Sequence, residues 1–345
     1  MFDLIKNQVV VIRSKRGLHR EPKNHDKNRS SDFLHGEISK RQKPVWQRWA
    51  GFGSVGARVL TRRLKGLRLG TAATTIIIML RFTKMNGAGN DFVLIDNRSG
   101  DVHLNRDQIV QICDRHRGIG ADGILLLEKA SNQADFRMRY FNSDGGEAEM
   151  CGNGARCFAR FANKVADAQG KISFETPAGV IAAELKGDLV TLQMTDPTDL
   201  RLNVTLRVGD KNKSVHFINS GVPHVVIPLE RIDDVDVRRE GAAIRYHQMF
   251  SPKGANVNFI EKRGIKKIAV RTYERGVEDE TLACGTGVVA GALIFSATEN
   301  FDGPIGVLVR GGNELKVGFN KIRNQFRNVT LTGPAEFVFE GTIEL

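Results

Sequence analysis

Cysteine is scarce in this chain: Cys113, Cys151, Cys157 and Cys284 are the only four among 345 residues. So few thiols in so long a chain exclude a disulfide-stapled secreted scaffold and favour a reducing compartment, the cytoplasm. Long hydrophobic runs are missing too, since nothing approaches the roughly 18 apolar residues of a membrane span. The most apolar stretch near the start, "TIIIML" from Thr75 to Leu80, reads instead as a first β-strand. No Cys/His group shows zinc-ligand spacing, so no metal is expected. The Gly-x-Gly turns lack the Lys-Ser/Thr of a phosphate-binding P-loop, which argues against a nucleotide site.

What remains is a globular composition, 41% hydrophobic and 26% charged, in a chain long enough for one large domain or two ordinary ones. The net charge of +12 invites a nucleic-acid reading until it is located. Of the 51 basic and 39 acidic residues, residues 1–80 hold 17 and 5, so the remainder is balanced at 34 of each sign. The basicity belongs to an N-terminal extension. Residues 1–78 lack sustained periodicity and are expected to be unstructured. Three origins stay open for them: translation from upstream of the authentic start, an organellar transit peptide, or a nucleic-acid-binding arm.

From Met79 onward the pattern is regular. "IIIMLRFTKM" and "FVLID" read as strands around the turn "NGAGN". "RDQIVQICDRH", Arg106 to His116, has helical spacing through Ile109, Ile112 and Cys113. "KISFETPAGVIAAEL" reads as a hairpin around Pro177-Ala178-Gly179, and "VTLQM" puts Val190, Leu192 and Met194 on one face. The second half repeats the theme in "VHFINSGVPHVVI", "ANVNFIE" and "IAVRTYERG". The halves match in register. Tyr140 and Tyr273 each precede a cysteine by eleven residues, Glu147 and Glu280 by four, and Gly152/Gly154 match Gly285/Gly287. Internal duplication predicts two similar domains facing each other across a cleft.

Each half presents Cys-Gly-x-Gly at the start of a helix, at Cys151 and at Cys284. Glycine permits the close turn, and the free amides and dipole of a helix N-terminus favour an anion such as a carboxylate. A thiol placed there is expected to have its pKa lowered toward neutrality and to serve as acid or base. Two such groups on opposite faces of one carbon are what stereochemical inversion requires. Cys113 and Cys157 instead fall on apolar helical faces and read as core.

At these motifs the sequence strongly resembles the diaminopimelate epimerase family, over about Leu80 to Leu345. The resemblance rests on "FTKMNGAGNDFVLID", "RHRGIGADGILLLE", "YFNSDGGEAEMCGNGARCFARF", "SGVPHVVI", "GANVNFIE" and "YERGVEDETLACGTG". It implies an α/β (α+β) fold of two pseudo-symmetric domains, each a mostly antiparallel sheet or barrel wrapped around a central helix, with the site in the cleft between. The domains would be 79–194, with 334–345 returning to it, and 195–333. It also implies a cofactor-independent isomerase of lysine and peptidoglycan biosynthesis, interconverting LL- and meso-2,6-diaminopimelate, homodimeric, without pyridoxal phosphate or metal. The paired acid and base map onto Cys151 and Cys284. Substrate contacts map onto Asn90, Asn142, Gly152, Asn153, Asn256, Glu274, Arg275, Gly285 and Thr286, and residues tuning the thiols onto His224 and Glu274. The resemblance also implies that Glu274, Arg275 and the asparagines hold the substrate's distal ammonium and carboxylate. On spacing alone, Asn90 and Asn142 also fit turn positions beside glycines. The chain departs from some members at Gly123, where those carry Gln, and at Val222, where those carry Asn.

Three other classes are compatible with parts of the sequence. A proline-racemase-like enzyme shares paired cysteines, although its first motif usually carries His where Asn153 stands. A thiol redox protein using Cys151 and Cys157 lacks the usual Cys-x-x-Cys spacing. A nucleic-acid-binding module would rest on residues 1–78 alone. Because those residues carry the whole charge excess and none of the motifs, a protein beginning at Met79 is expected to stay soluble and keep full epimerase activity. Loss of solubility or activity on truncation would show that the boundary lies earlier.

Overall fold

The computed structural model of the chain describes residues 9–12, 58–61, 76–168, 170–323 and 325–344. Within the N-terminal extension this range holds two short strands, β1 (Val9–Ile12) and β2 (Arg58–Thr61), and residues 76–78, which begin the strand Ile76–Gly87, so these parts are strand and not unstructured as expected. The rest of that segment lies outside the described residues.

The first half runs β3 (Ile76–Gly87), β4 (Asn90–Asp96), α1 (Arg106–Cys113), β5 (Gly123–Lys129), β6 (Phe136–Asn142), β7 (Glu147–Ala148), α2 (Gly152–Ala166), β8 (Lys171–Thr176), β9 (Gly179–Lys186) and β10 (Leu189–Gln193). The second runs β11 (Thr198–Val208), β12 (Lys211–Asn219), β13 (Pro223–Leu229), α3 (Val237–Arg245), β14 (Asn256–Gly264), β15 (Lys267–Glu274), β16 (Asp279–Thr281), α4 (Gly285–Glu299), β17 (Ile305–Val309), β18 (Glu314–Ile322) and β19 (Gln325–Pro334). A last strand, β20 (Glu336–Glu344), returns to pair antiparallel with β3. The pairings repeat element for element. β4 runs parallel to β5 as β13 does to β14, and β6 runs parallel to β8 as β15 does to β17. The remaining neighbours within each half are antiparallel hairpins. Parallel pairs need a crossover, and α1, α2, α3 and α4 supply it at equivalent places. The fold is therefore the expected one: two mostly antiparallel sheets of like topology, each wrapped around a central helix.

α2 and α4 are those central helices, and their sequences say why. α4 carries an unbroken buried run from Gly287 to Ser296, apolar but for Ser296 itself, so no face prefers water. Small residues let the sheet close on it: a Cβ at Gly291 would come 3.1 Å from the side chains of Ile260 and Val270. α2 buries Ala155, Cys157, Phe158, Ala159, Phe161 and Ala162, and Phe158 packs at 4.8 Å on the ring of Phe174. Both helices end on a left-handed residue, Asp167 and Asn300. Residues of both helices share one continuous core, closed off by Val329 and Leu331 of β19. That strand pairs with β10 of the first half and β18 of the second, joining the two sheets along a single strand.

The local expectations compare closely. The hairpin turns at Pro177-Ala178, and Val190, Leu192 and Met194 are all buried. α1 stops at Cys113, before His116, because the Asp114 carboxylate takes the backbone amides of His116 and Arg117 and ends the turn. α3, the counterpart of α1, has four charged residues among its nine and buries Val237, Gly241, Ile244 and Arg245 along one face.

Cys113 and Cys157 lie in the core as expected, 4% and 0% exposed. Burial pushes both thiols up to about 12, so they remain neutral and unreactive. Cys113→Ala and Cys157→Ala are each expected to lower stability by on the order of 1 kcal/mol, read by thermal or urea unfolding, with function intact.

Candidate active site

The two duplicated motifs meet. Cys151 and Cys284 are the N-cap residues of α2 and α4, both in extended conformation and neither using its side chain as a cap. The glycines that follow bring the helix starts together: a Cβ on Gly152 would stand 3.7 Å from the Cα of Gly285. Each thiol thus sits beside the first-turn amides of its helix, in the lining of one cavity of about 870 Å³.

That cavity is lined by every residue expected to touch substrate: Asn90, Asn142, Cys151, Gly152, Asn153, Asn256, Glu274, Arg275, Cys284, Gly285 and Thr286. His224 is not on its surface. The departures fall differently from one another. Val222 lines the cavity, whereas a Cβ at Gly123 would lie 2.4 Å from the Phe141 carbonyl oxygen and 2.6 Å from the Tyr140 ring. No side chain fits at 123 while Tyr140, which itself lines the cavity and packs edge-on against Phe92, holds that space.

Two of the asparagines, Asn90 and Asn153, are held by each other rather than left free. Asn153 Nδ2 donates to Asn90 Oδ1 at 2.6 Å and to the Ala283 carbonyl at 3.0 Å, while its Oδ1 accepts from Arg156 at 2.8 Å. Both amide protons are spent, so Asn153 offers the cavity its backbone and not its side-chain donor. Asn90 Nδ2 is further tied to Asp122 at 2.9 Å, and Asp122 also takes Arg115. Asn256 Oδ1 accepts the backbone amide of Arg275 at 2.8 Å and so fixes the turn that carries it. The Arg275 guanidinium makes no hydrogen bond or ion pair among the described residues and is open to an anion. Arg156, Asp122 and Asn258 shape this site without having been singled out in the sequence. Arg156 had a signal: a charge inside the apolar run of α2.

The thiols do not behave as the helix termini alone predict. Burial drives Cys151 above the ordinary thiol value; the Gly154 amide opposes this, Glu274 reinforces it, and the Asn153 amide and Arg156 again oppose it. Cys284 is pushed up by burial and by Glu274, against weaker help from Thr286, 3.6 Å away, and the Gly287 amide. The expected lowering is therefore corrected: removal from water outweighs the helix dipole at both positions. Glu274 is half-buried, its carboxyl raised by burial and held by one hydrogen bond from Thr281 at 2.7 Å. Its charge acts on both cysteines, and it lines the same cavity as they do.

His224 lies beneath the second helix start. Asn258 Nδ2 donates both to its Nδ1 at 3.0 Å and to the Val225 carbonyl, which leaves the ring proton on Nε2. That Nε2 is buried and has no partner among the described residues. Burial, aided by Arg275, takes the imidazole down to about 3, so it is neutral. Asn258 Oδ1 in turn accepts from Thr272 and lies 2.3 Å from where a Cβ on Gly287 would be. His224 is thus linked to the first turn of α4 through Asn258.

A model of the diaminopimelate epimerase family matches residues 82–200 and again 216–338, once per half. This chain belongs to the diaminopimelate epimerase family. It is 43% identical over 277 residues to the diaminopimelate epimerase of Aquifex aeolicus, covering 76% of the chain and 98% of that protein. To the diaminopimelate epimerase of Chlorobaculum tepidum it is 44% identical over 265 residues, covering 76% and 100%. Among solved structures, a hydroxyproline epimerase from Agrobacterium vitis superposes with a TM-score of 0.58 at 16% identity, over 77% of this chain and 91% of that one, a likeness of fold. No group of three or more metal-ligating side chains is assembled among the described residues, and no described helix is long and apolar enough to cross a membrane.

The packing beneath the cysteines gives a contrast that can be measured. Gly287→Ala presses a Cβ on the hydrogen-bonded Asn258 amide and is expected to cost about 1–3 kcal/mol in thermal unfolding. Gly152→Ala meets only ordinary contacts, at 3.7 Å and beyond, and is expected to cost far less.

Proposed function

We propose that the protein interconverts LL- and meso-2,6-diaminopimelate by moving the α-proton between two thiols, without a cofactor. The observation that carries this is the pair of cysteines at helix starts that face each other across Gly152 and Gly285 from the two duplicated halves. An α-carboxylate seated between these helix starts would receive amides from both, where negative charge develops as the proton leaves. One cysteine, as thiolate, takes the α-proton from one face and becomes a thiol. The other, a thiol, delivers its proton to the opposite face and becomes a thiolate. The α-carbon is inverted, the pair of protonation states is exchanged, and the reverse reaction uses the same groups with roles swapped. Glu274, beside both thiols, is suited to the α-ammonium, and the unpaired Arg275 guanidinium to the distal carboxylate.

In this reading Asn90, Asn142, Asn256 and Thr286 line the pocket for the diamino diacid, with Gly152, Asn153 and Gly285 contributing backbone. His224 and Glu274 set the environment of the thiols, His224 as a neutral group. The division into 79–194 with 334–345, and 195–333, is supported by the return of β20 to β3. A homodimer, a cytoplasmic location and a place in lysine and peptidoglycan-precursor synthesis belong to the same proposal.

The test is interconversion of LL- and meso-diaminopimelate by purified protein with neither pyridoxal phosphate nor metal added. Cys151→Ala and Cys284→Ala are each expected to lower the rate by at least about 10³-fold in both directions. In deuterated water the product's α-carbon is expected to be labelled from the first turnovers while recovered substrate stays unlabelled. Near-normal turnover by either variant, or equal early labelling of both isomers, would remove the two-thiol mechanism. Turnover of proline or hydroxyproline in place of diaminopimelate would move the protein to the racemase class.

A further inference from the structure

Arg156 is fully buried, the largest fully buried side chain among the described residues. Its hydrogen bonds all go to neutral oxygens: Asn153 Oδ1 at 2.8 Å, the Gly87 and Gly152 carbonyls at 3.4 Å, and the Pro334 carbonyl at 3.3 Å. No carboxylate among the described residues pairs with it. An arginine stays protonated in proteins, and a buried charge is ordinarily paired. The fold nevertheless makes room for it. A Cβ on Gly333 would approach its Nε to 3.1 Å, and one on Gly87 would strike the Asn153 carbonyl at 2.6 Å.

No carboxylate is among the groups that act on this cation; two thiols are. Cys157 and Cys151 are the groups that raise its basicity against the burial that lowers it. Cys157 is walled into the core, but Cys151 opens on the cavity. The duplication sharpens the point. Arg156 stands five residues after Cys151, and five after Cys284 stands Val289, equally buried and without charge. The pseudo-symmetric site is thus electrostatically lopsided. Cys151 shares its surroundings with Glu274 of β15, Cys284 at the start of α4, Tyr140 of β6, and Cys157 and Arg156 of its own helix; Cys284 shares Glu274 and Cys151, and the cation that lines its cavity, Arg275, is carried on the turn after β15 and not on α4.

We propose that Arg156 is a positioning residue that breaks the symmetry of the cysteine pair, its buried cation supporting the thiolate at Cys151 so that Cys284 is the thiol of the resting protein. The same guanidinium orients Asn153, and through it Asn90 and the carbonyl that precedes Cys284. The one cation therefore both chooses the first base and holds the floor between the halves. This deepens the two-thiol reading above and rests on it for its catalytic meaning, but its electrostatic content can be measured without substrate.

The experiment follows carboxamidomethylation of each cysteine by iodoacetamide as a function of pH in the full-length protein, with peptide mass mapping to separate Cys151 from Cys284. The midpoint of each profile, not its height, is read, because access differs between the two. The wild type is expected to label Cys151 with a midpoint below that of Cys284. Arg156→Gln is expected to raise the Cys151 midpoint by about one pH unit, a roughly tenfold loss of thiolate at fixed pH, while Cys284 moves less. Arg156→Lys, which keeps the charge and loses the fork, is expected to restore most of the midpoint. If diaminopimelate is turned over, Arg156→Gln lowers kcat more than it raises KM. A wild-type Cys284 midpoint at or below that of Cys151 overturns the proposal even if the glutamine variant does not fold. So does a folded Arg156→Gln with an unmoved Cys151 midpoint, or identical profiles for the Lys and Gln variants. Absence of epimerisation with the expected midpoints would count against the proposed reaction and leave the role of Arg156 standing.

Discussion

Everything in this protein depends on two helix N-termini being pressed together. Helices repel end to end when like poles meet, and first-turn amides left without partners are costly unless something accepts from them. The fold holds the starts of α2 and α4 against each other regardless, with only Gly152 and Gly285 at the closest approach. The force that does so is hydrophobic: both helices share one core with both sheets, and β19 ties the sheets on either side. What results is a cavity lined by both helix starts and both thiols, and by the carboxyl groups of Asp122, Glu274 and Glu280.

Burial has a second consequence there. It pushes the thiols toward their neutral form more strongly than the helix ends draw them toward the thiolate. Their ionisation therefore depends on what else carries charge nearby. Glu274 opposes ionisation of both cysteines alike, and Arg156 assists one of them. Symmetry of the backbone and asymmetry of the charges are separate properties of the site.

The polar floor of the cavity behaves as one unit. Arg115, Asp122, Asn90, Asn153 and Arg156 form a continuous chain of hydrogen bonds, which Asn153 carries on to the carbonyl before Cys284. A chain of this kind is fully satisfied only when both halves are in register. It fixes the separation of the cysteines more tightly than hydrophobic packing can, because hydrogen bonds are directional.

Much of this was legible beforehand because it is local or repeated. Alternating strands, the hairpin at Pro177-Ala178, the helices opening at Cys151 and Cys284, and the duplication all follow from residue type and spacing along the chain. So does the assignment of Cys113 and Cys157 to the core, since helical period alone places them there. Other properties are sums over neighbours distant in sequence, which no spacing records. That both thiols are driven up and not down follows from the total burial of the cleft. That Glu274 belongs with the cysteines follows from the pairing of β15 with β16. That Asn153 spends its side chain on the protein follows from meeting Asn90 and Ala283 in three dimensions. The sequence by itself determined which groups the protein owns and that they come in two matched sets. Only the tertiary structure decided which of them meet, how far each is removed from water, and that Arg156 is buried in the helix that Cys151 opens. Charge and solvation depend on distance through space, and the chain order does not contain it.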